Sequence, residues 1–372
     1  MFLYSIHSLS SGNQQNMFYY QILPERKLPI EYLTYSSKIP LKRGQVVKIL
    51  IKNSLSFGLV LGETSTVQID QSQSIKEISE SLPLILSEKQ INFLFALAYN
   101  TFNQPQEVLA SMLSPIKKLS KQFWQNLQLN NSCSQQKTDV AEKTLTNKSV
   151  KPEILLVENE SQMLFRIRYI IRSYINANKD PISSYPLIFL FPEKKYLFSI
   201  KQQLTDFLKD LSVTIDIFDA GQNTQAKQTI AKVLKQTGQI IFGTRQILFL
   251  PWQGDRLDLV LIDESNSFYI QDENRLYYDA RDACFIFAHF FQAKLTFLST
   301  LPSVRLFNFN LKTCSDSLLN MTSKTLQKPL KIKLLNRVFS RDSFFDLIDF
   351  LETKIITDES TNLPNNQNDD IS

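Results

Sequence analysis

The chain has 372 residues, of which 43% are hydrophobic and 21% charged, a balance typical of a globular protein with two or three domains. Its formal net charge is +5, which permits contact with nucleic-acid phosphates without requiring it. The cysteines Cys133, Cys284 and Cys314 lie far apart and are odd in number, so they exclude a disulfide framework and a zinc ribbon. We therefore expect a reducing compartment and no zinc.

The amino terminus lacks a basic segment and a small-residue cleavage site, so we predict no signal peptide. The longest apolar stretch, residues 82–99, is interrupted by the polar run 87–90. Burying that run in hydrocarbon would be costly, which argues against a membrane span. The sequence therefore predicts a cytoplasmic protein with no membrane partner.

The first 75 residues are predicted to form a small β domain, a barrel or a sandwich. Short apolar runs separated by polar turns indicate its strands. The strands are predicted at 18–23, 45–51 and 57–61, with turns at 42–44 and 52–54.

A helical segment is predicted for residues 76–130. Helical spacing of apolar residues covers 87–100 and 106–129, with Ser87 as the N-cap of the first helix. Residues 131–151 are rich in Asn, Ser, Gln, Thr and Lys and form the best candidate for a linker.

Strand and helix patterns alternate between residues 152 and 335. Apolar strands that alternate with amphipathic helices predict an α/β lobe, in which a doubly wound parallel sheet is covered on both faces. The strands are predicted at 154–157, 187–191, 213–218, 239–242, 257–262, 294–298 and 330–335, and the helices at 161–177, 194–209, 224–236 and 280–291. A further helix is predicted within 336–356, and 357–372 read as a disordered acidic tail.

Polar residues follow two of these strands. Gly243, Thr244 and Arg245 follow one strand, and Asp263 and Glu264 follow the next. Open α/β sheets bind ligands at the carboxyl ends of their strands. An Asp-Glu pair at such a place is how many nucleotide-driven motors hold Mg²⁺ and polarise a water. The glycine-rich loop that would hold the phosphates is missing, because no glycine lies between Gly62 and Gly221.

Four motifs in this order resemble the primosomal protein N′ (PriA) family, superfamily 2 DNA helicases of replication restart. The first two motifs are G-T-R-Q-I-L-F-L-P at 243–251 and D-E-S-N at 263–266. The third is Y-I-Q at 269–271, followed by Arg275 and by Y-D-A-R-D at 278–282, and the fourth is S-T-L-P-S at 299–303. The resemblance implies a β domain that binds the 3′ end of DNA, followed by a RecA-like helicase lobe. A short helical segment stands in place of the family's winged helix.

The resemblance also implies the roles of individual residues. Asp263 and Glu264 correspond to the Walker B carboxylates, here as an inactive remnant. The expected DNA-binding residues are Tyr35, Lys52, Thr244, Arg245, Arg275, Tyr278 and Arg281. Packing roles are open alternatives, and Tyr35 is as suitable for a barrel core as for a ligand platform. The 3′-end domain departs from the family at Thr34, where an acidic residue is usual, and at Lys52, where a glycine is usual.

The departures in the lobe argue against a motor. Where the family has a glycine-rich phosphate loop with a lysine, this chain has Glu158-Asn159-Glu160-Ser161. Each glutamate near a triphosphate would cost roughly 4 kcal/mol at 4 Å and an effective dielectric of about 20. The His of the D-E-x-H motif is absent, and no second lobe follows within the 372 residues. We therefore expect no ATP or Mg²⁺ cofactor.

The leading hypothesis is a PriA-like protein that binds forked or single-stranded DNA, together with replication-restart partners, and does not unwind it. One alternative is an ATP-dependent 3′–5′ DNA helicase or ATPase that works with a second chain. Another is a scaffold that binds no DNA. A DNA binder loses affinity steeply with added salt, whereas the scaffold gives no such signal.

Overall fold

The computed structural model describes most of the chain between residues 17 and 313. The described ranges are 17–64, 75–125, 152–177, 185–219, 223–235, 239–254, 256–271, 276–301, 303 and 312–313. They all belong to one compact unit, Met1–Lys328. The predicted linker at 131–151, the strand at 330–335, the helix within 336–356 and the acidic tail lie outside the described residues.

The first part of the chain forms a five-stranded antiparallel sheet in the order β2-β1-β4-β3-β5. Its strands are β1 (Phe18–Pro24), β2 (Leu33–Ser37), β3 (Gln45–Ile51), β4 (Ser54–Glu63) and β5 (Glu80–Ile85). An isolated bridge joins Ser36 to Glu77, so the free edge of β2 meets the chain that leads into β5. The three predicted strands are present, β2 and β5 are additional, and closure into a barrel stays a prediction.

Gly44 ends the turn before β3 and has no room for a side chain. Its φ is +82°, and a Cβ there would lie 2.2 Å from the carbonyl oxygen of Leu86. The close approach allows the Gly44 carbonyl to accept a hydrogen bond from the Leu86 N–H at 2.8 Å. The antiparallel sheet is thereby fixed to the start of the helical segment.

Two helices and a short helical stretch follow this sheet: α1 (Glu88–Asn100), α2 (Pro105–Leu113) and α3 (residues 121–125). Ser87 caps α1 as predicted, and Gln90 completes a capping box with it. The predicted continuous helix at 106–129 is wrong, since α2 ends at Leu113 and turns follow. Pro115 explains the break, because proline cannot donate the helical hydrogen bond and its ring clashes with the preceding turn.

The second sheet has seven strands in the order β14-β6-β13-β10-β7-β9-β8, and all pairings are parallel. This confirms the predicted α/β class. The strands are β6 (Glu153–Leu156), β7 (Leu187–Leu190), β8 (Ile215–Phe218), β9 (Ile240–Gly243), β10 (Asp258–Ile262), β13 (Lys294–Ser299) and β14 (Lys312–Thr313). A small antiparallel pair, β11 (Ile270–Gln271) and β12 (Tyr278–Asp279), lies beside them in the chain.

The helices of this part are α4 (Glu160–Ala177), α5 (Lys194–Gln203), α6 (Thr205–Asp210), α7 (Asn223–Leu234) and α8 (Ala280–Phe291). The predicted helix at 194–209 is therefore two helices that meet at Leu204. Short 3₁₀ helices occupy Arg245–Phe249 and Ser267–Tyr269. No helix among the described residues is long and apolar enough to cross a membrane.

Side chains of the central parallel strands alternate between two cores. In β7, Leu190 belongs to one core and Phe189 to the other, so both faces of the sheet are covered. The first core, which we call the shared core, continues through α1, α2 and α8 to strands of the antiparallel sheet. Within it the ring of Phe93 lies 5.3 Å from that of Phe287 and 6.2 Å from that of Phe249. The helical segment therefore packs against both sheets.

Candidate functional site at the carboxyl edge of the parallel sheet

The connections that carry the predicted motifs meet at the carboxyl edge of the parallel sheet. Leu156 at the end of β6 is in register with Ser299 of β13, and Leu298 of β13 with Ile262 of β10. Because the strands are parallel, the residues after them emerge side by side. Glu158 therefore follows one strand of this edge, and Asp263 follows another.

The connection from β6 to α4 is short and capped by its own side chains. The Asn159 Oδ1 accepts a hydrogen bond from the Gln162 N–H at 3.0 Å, and the Glu158 N–H donates to Gln162 Oε1 at 3.0 Å. Gln162 Nε2 also donates to Glu158 Oε2 at 2.9 Å. These bonds cap the start of α4 and occupy two of the N–H groups that a bound phosphate would use.

Negative charge surrounds the same helix start. Glu158 and Glu160 are exposed, and Glu160 Oε1 accepts a hydrogen bond from Gln203 Nε2 at 3.1 Å. The positive end of the α4 dipole therefore faces two carboxylates of the chain itself. An arriving polyphosphate would have to displace the capping bonds and overcome this repulsion.

Asp263 ends β10 in a conformation that is rare for residues with side chains. Its φ is 54°, its N–H donates to the Leu298 carbonyl at 2.7 Å, and its Oδ2 accepts from Asn266 Nδ2 at 3.1 Å. Asp tolerates this left-handed region better than most residues. The carboxylate is half-buried at the edge and engaged in a local turn.

Glu264 is a buried carboxylate with structural contacts on both oxygens. It is 1% exposed, and it accepts hydrogen bonds from the Ser303 N–H at 2.9 Å and from Ser303 Oγ at 2.6 Å. Arg281 lies 4.0 Å from its Oε1. In this arrangement Glu264 joins β10 to the S-T-L-P-S segment. No group of three His, Cys, Asp or Glu side chains suited to a metal ion occurs in the described part of the chain.

Two tyrosines at this edge were not predicted from the sequence. Tyr269 is fully buried, and its hydroxyl donates to the Leu190 carbonyl at 2.9 Å and to the Ile262 carbonyl, which joins the ends of β7 and β10. Burial raises the pKa of Tyr196 to about 12, with further contributions from the carboxylates of Asp263 and Glu160. Tyr269 belongs to the Y-I-Q segment of the resemblance, but no role was predicted for it, and Tyr196 belongs to no motif. Only the tertiary structure reveals their contacts.

Arg281 is held by carboxylates of the chain. Its guanidinium pairs with Asp279 through Nε at 2.8 Å and Nη2 at 2.6 Å, and its Nη1 donates to the Glu264 carbonyl at 3.3 Å. The hydrogen bonds that Arg281 donates to Asp279 raise the pKa of Arg281 despite its partial burial. Its side chain is only 14% exposed. The structure thus brings Arg281 to Glu264, but in a packed position.

Tyr278 and Arg245 also support the local fold. The Tyr278 ring is buried at an angle of 77° to the ring of Phe249, with centroids 5.5 Å apart. Arg245 Nη1 donates to the carbonyls of Phe268 and, at 3.0 Å, Ile270, so it fixes the chain that enters β11. Thr244 is half-buried beside it. Arg275 lies outside the described residues.

Tyr35 and Lys52 lie in the antiparallel sheet, apart from the carboxyl-edge residues. Tyr35 is 4% exposed, and its hydroxyl donates to the Leu50 carbonyl at 2.9 Å. Burial raises its pKa. Lys52 is exposed in the turn between β3 and β4. Its φ is 53°, a conformation that glycine adopts without strain, which explains why the PriA family usually has a glycine where this chain has Lys52. Of the two, Lys52 has its charge available to solvent.

Comparison with curated proteins gives consistent matches. The chain is 26% identical over 290 residues to the replication restart protein PriA of Helicobacter pylori strain J99, a match that covers 77% of the chain and 44% of that protein. It is 26% identical over 313 residues to PriA of Rickettsia prowazekii, covering 82% and 45%. For PriA of Rickettsia felis the identity is 25% over 292 residues, covering 76% and 42%. The chain is PriA-like.

The match lies in the amino-terminal part of these PriA proteins, and the chain spans less than half of their length. No family model matches the chain. These matches cover 76–82% of the chain, which is too much to come from the parallel sheet alone. The PriA likeness therefore extends beyond the motifs from which the resemblance was first recognised.

Proposed function

We propose that this PriA-like chain acts in replication restart by binding forked or single-stranded DNA, including its 3′ ends, and does not hydrolyse ATP. In this proposal the antiparallel sheet is a 3′-end-binding domain and the parallel sheet is a RecA-like lobe without a motor function. Its partners are DNA and other replication-restart proteins, and it acts in the cytoplasm. The similarity to PriA of two bacterial genera supports the DNA role.

The absence of a motor is supported by one observation above all, the self-capped acidic connection between β6 and α4. Its N–H groups already have partners in Asn159 and Gln162, and Glu158 and Glu160 repel phosphate. The engagement of both Glu264 oxygens with Ser303 adds to this. A nucleotide would meet neither a phosphate cradle nor a free carboxylate pair.

The DNA contacts are proposed at the side chains named from the resemblance, with Lys52, Thr244 and Arg245 the more accessible among the described ones. For Tyr35, Tyr278 and Arg281 the proposed contribution requires exposure of a side chain that is now packed. Arg275 completes the set. Base stacking by aromatic residues and phosphate contacts by cationic ones would supply sequence-tolerant binding.

The test is fluorescence anisotropy with labelled fork DNA that carries either a free or a phosphorylated 3′ end. We expect binding that weakens steeply with salt, and a preference for the free 3′ end. Lys52→Gln should reduce the magnitude of the salt slope, which is the slope of log binding constant against log salt concentration, by about 0.7 to 0.9. The matched control is Lys294→Gln, which removes an exposed charge at the start of β13. Absence of binding at moderate salt would favour the non-DNA-binding scaffold.

A second candidate is a conditional ATPase that works with another chain. It is favoured by the retained Asp263 carboxylate, which remains half-exposed where a motor would hold Mg²⁺. This candidate predicts DNA-stimulated ATP hydrolysis in the presence of a restart partner and its loss in Asp263→Asn. A null result with those partners would leave the DNA-binding proposal alone.

A further inference from the structure

Helix α4 exposes aromatic and arginine side chains on one stripe. Its buried face includes Met163, Ile167 and Ile171. The opposite side carries the α4 stripe, defined as Phe165, Arg168, Tyr169 and Arg172, which follow the i, i+3, i+4, i+7 spacing of neighbours on a helix. Phe165 is 61% exposed and Tyr169 58%. Two large rings in water on an otherwise polar face are not explained by folding of the helix.

The arginines of the stripe lie close together. Within the described part of the chain no salt bridge involves Arg168 or Arg172. Arg168 Nη2 donates a hydrogen bond to the Gln203 carbonyl at 3.2 Å. Both guanidinium groups lie over the same ring, that of Phe207, at 5.7 Å and 5.4 Å from its centroid. Bringing two like charges onto one ring costs electrostatic energy, which a bound anion would offset.

The surroundings strengthen this positive charge. Helices α4, α5 and α6 together carry seven Lys and Arg residues against three Asp and Glu. Phe198 of α5 is a further ring with 40% exposure. Of these cations, Lys194 pairs with Asp219 and Lys209 with Asp206. The three helices thus combine exposed aromatic rings with an excess of cations, a combination found in grooves that bind single strands.

We propose that the α4 stripe is a second DNA-contact surface that binds a single strand, with phosphates at Arg168 and Arg172 and bases stacked on Phe165 and Tyr169. It lies outside the motifs that suggested DNA contacts from the sequence. The inference rests on the proposed function only in taking DNA as the partner. An acidic protein segment would also satisfy the arginines, but it offers no flat faces for the two exposed rings.

The experiment uses the full chain and three double variants. Arg168→Gln/Arg172→Gln removes the charges, and Phe165→Ala/Tyr169→Ala removes the rings. The matched control, Arg256→Gln/Lys294→Gln, removes the same charge near the amino ends of β10 and β13, where Arg256 stacks on Tyr185 at 4.1 Å. The probes are an oligo-dT of about 20 nucleotides, an abasic strand of the same length and fork DNA. Thermal melts verify that each variant is folded.

The arginine variant should bind oligo-dT roughly tenfold more weakly, with a salt slope reduced by about 1.4 for two lost phosphate contacts. The ring variant should bind oligo-dT with roughly tenfold lower affinity and bind the abasic strand as tightly as the wild type does. If the arginine and ring variants both bind oligo-dT as tightly as the control variant does, the inference is overturned. Fork binding by the wild type would in that case still support the proposed function. Equal losses by the ring variant on both strands, or stronger binding of polyglutamate than of oligo-dT, would overturn it in favour of an acidic protein partner. A wild type that binds no DNA overturns both proposals.

Discussion

At the residue scale, the motifs identified positions but not the exposure of their side chains. Tyr278 and Arg281 belong to one motif, yet the ring of Tyr278 packs on Phe249 and Arg281 is paired with Asp279. Both residue types are common in DNA interfaces and also in packed cores. For Tyr278 the choice between these roles depends on Phe249, which is distant in sequence, so the sequence could not make it. For Arg281 the nearby Asp279 is visible in the sequence, but the burial beside Glu264 is not.

The position of Arg281 leads to a stability prediction. Arg281→Ala should lower the free energy of unfolding by about 2 kcal/mol or more, because Asp279 and the Glu264 carbonyl lose their donor in a largely buried place. Urea denaturation followed by circular dichroism measures the change. Arg43→Ala is the comparison, since its pair with Glu88 is exposed and should contribute at most about 1 kcal/mol. Equal effects of the two substitutions would contradict the packed role of Arg281.

The raised pKa of Tyr196 leads to a prediction about pH. Unfolding returns this phenol to its ordinary pKa of about 10, whereas the folded protein holds it at about 12. The folded state therefore binds the proton more tightly, and its advantage is present below pH 10 and lost between about pH 10 and 12. We expect the urea midpoint of Tyr196→Phe to fall less over this range than that of the wild type. Parallel declines would show that Tyr196 does not contribute.

At the scale of elements, the connection between β6 and α4 could be predicted in part. The missing glycines and the two glutamates are visible in the sequence and exclude a phosphate loop. The capping bonds of Asn159 and Gln162 were not predicted, although an Asn three residues before a Gln is a sequence signal of a helix start. The helix start is thus closed by specific hydrogen bonds as well as by charge.

The capping bonds at the start of α4 should contribute measurably to stability. Asn159→Ala should lower the free energy of unfolding by about 1 kcal/mol, because the Gln162 N–H loses its acceptor. Gln162→Ala should cost a similar amount, and the double variant less than the sum because the two side chains belong to one unit. Gln202→Ala on exposed α5 should stay within about 0.5 kcal/mol. Thermal or urea denaturation measures these changes, and additive effects would show that the two capping side chains act independently.

Prolines explain two of the places where the predicted elements differ from the structure. Pro115 ended the predicted helix after α2, a signal that the spacing of apolar residues concealed. Pro83 lies within β5 and speaks against a strand, but β5 is an edge strand, where a missing N–H is tolerated. The division of α5 from α6 at Leu204 has no glycine or proline to mark it. Such a break depends on packing and could not be predicted.

At the scale of the whole molecule, one core joins regions that the sequence suggested as separate. The shared core includes Trp124 next to the antiparallel sheet and Trp252 in the parallel part. Gln90 of α1 is also buried, and its Nε2 donates to the Leu250 carbonyl at 2.8 Å. The alternation of strands and helices predicted the parallel sheet, but contacts between distant segments left no periodic signal.

This shared core predicts cooperative unfolding. The chain has two tryptophans, so Trp124→Phe and Trp252→Phe each leave one fluorescent reporter. We expect each remaining tryptophan to report a single urea transition that coincides with that of circular dichroism on the same variant. A separate, earlier transition seen only by Trp124 would show that the two sheets unfold independently.

The central claim is that this PriA-like chain binds DNA without using a nucleotide. Its most direct test is an equilibrium titration of the full chain with ATP and Mg²⁺ in the presence of saturating fork DNA. The capped, acidic start of α4 predicts no saturable binding up to millimolar ATP. The dissociation constant should therefore exceed about 1 mM, which corresponds to a binding free energy no more favourable than about −4 kcal/mol. Saturable binding in the micromolar range that is abolished by Asp263→Asn would contradict the claim.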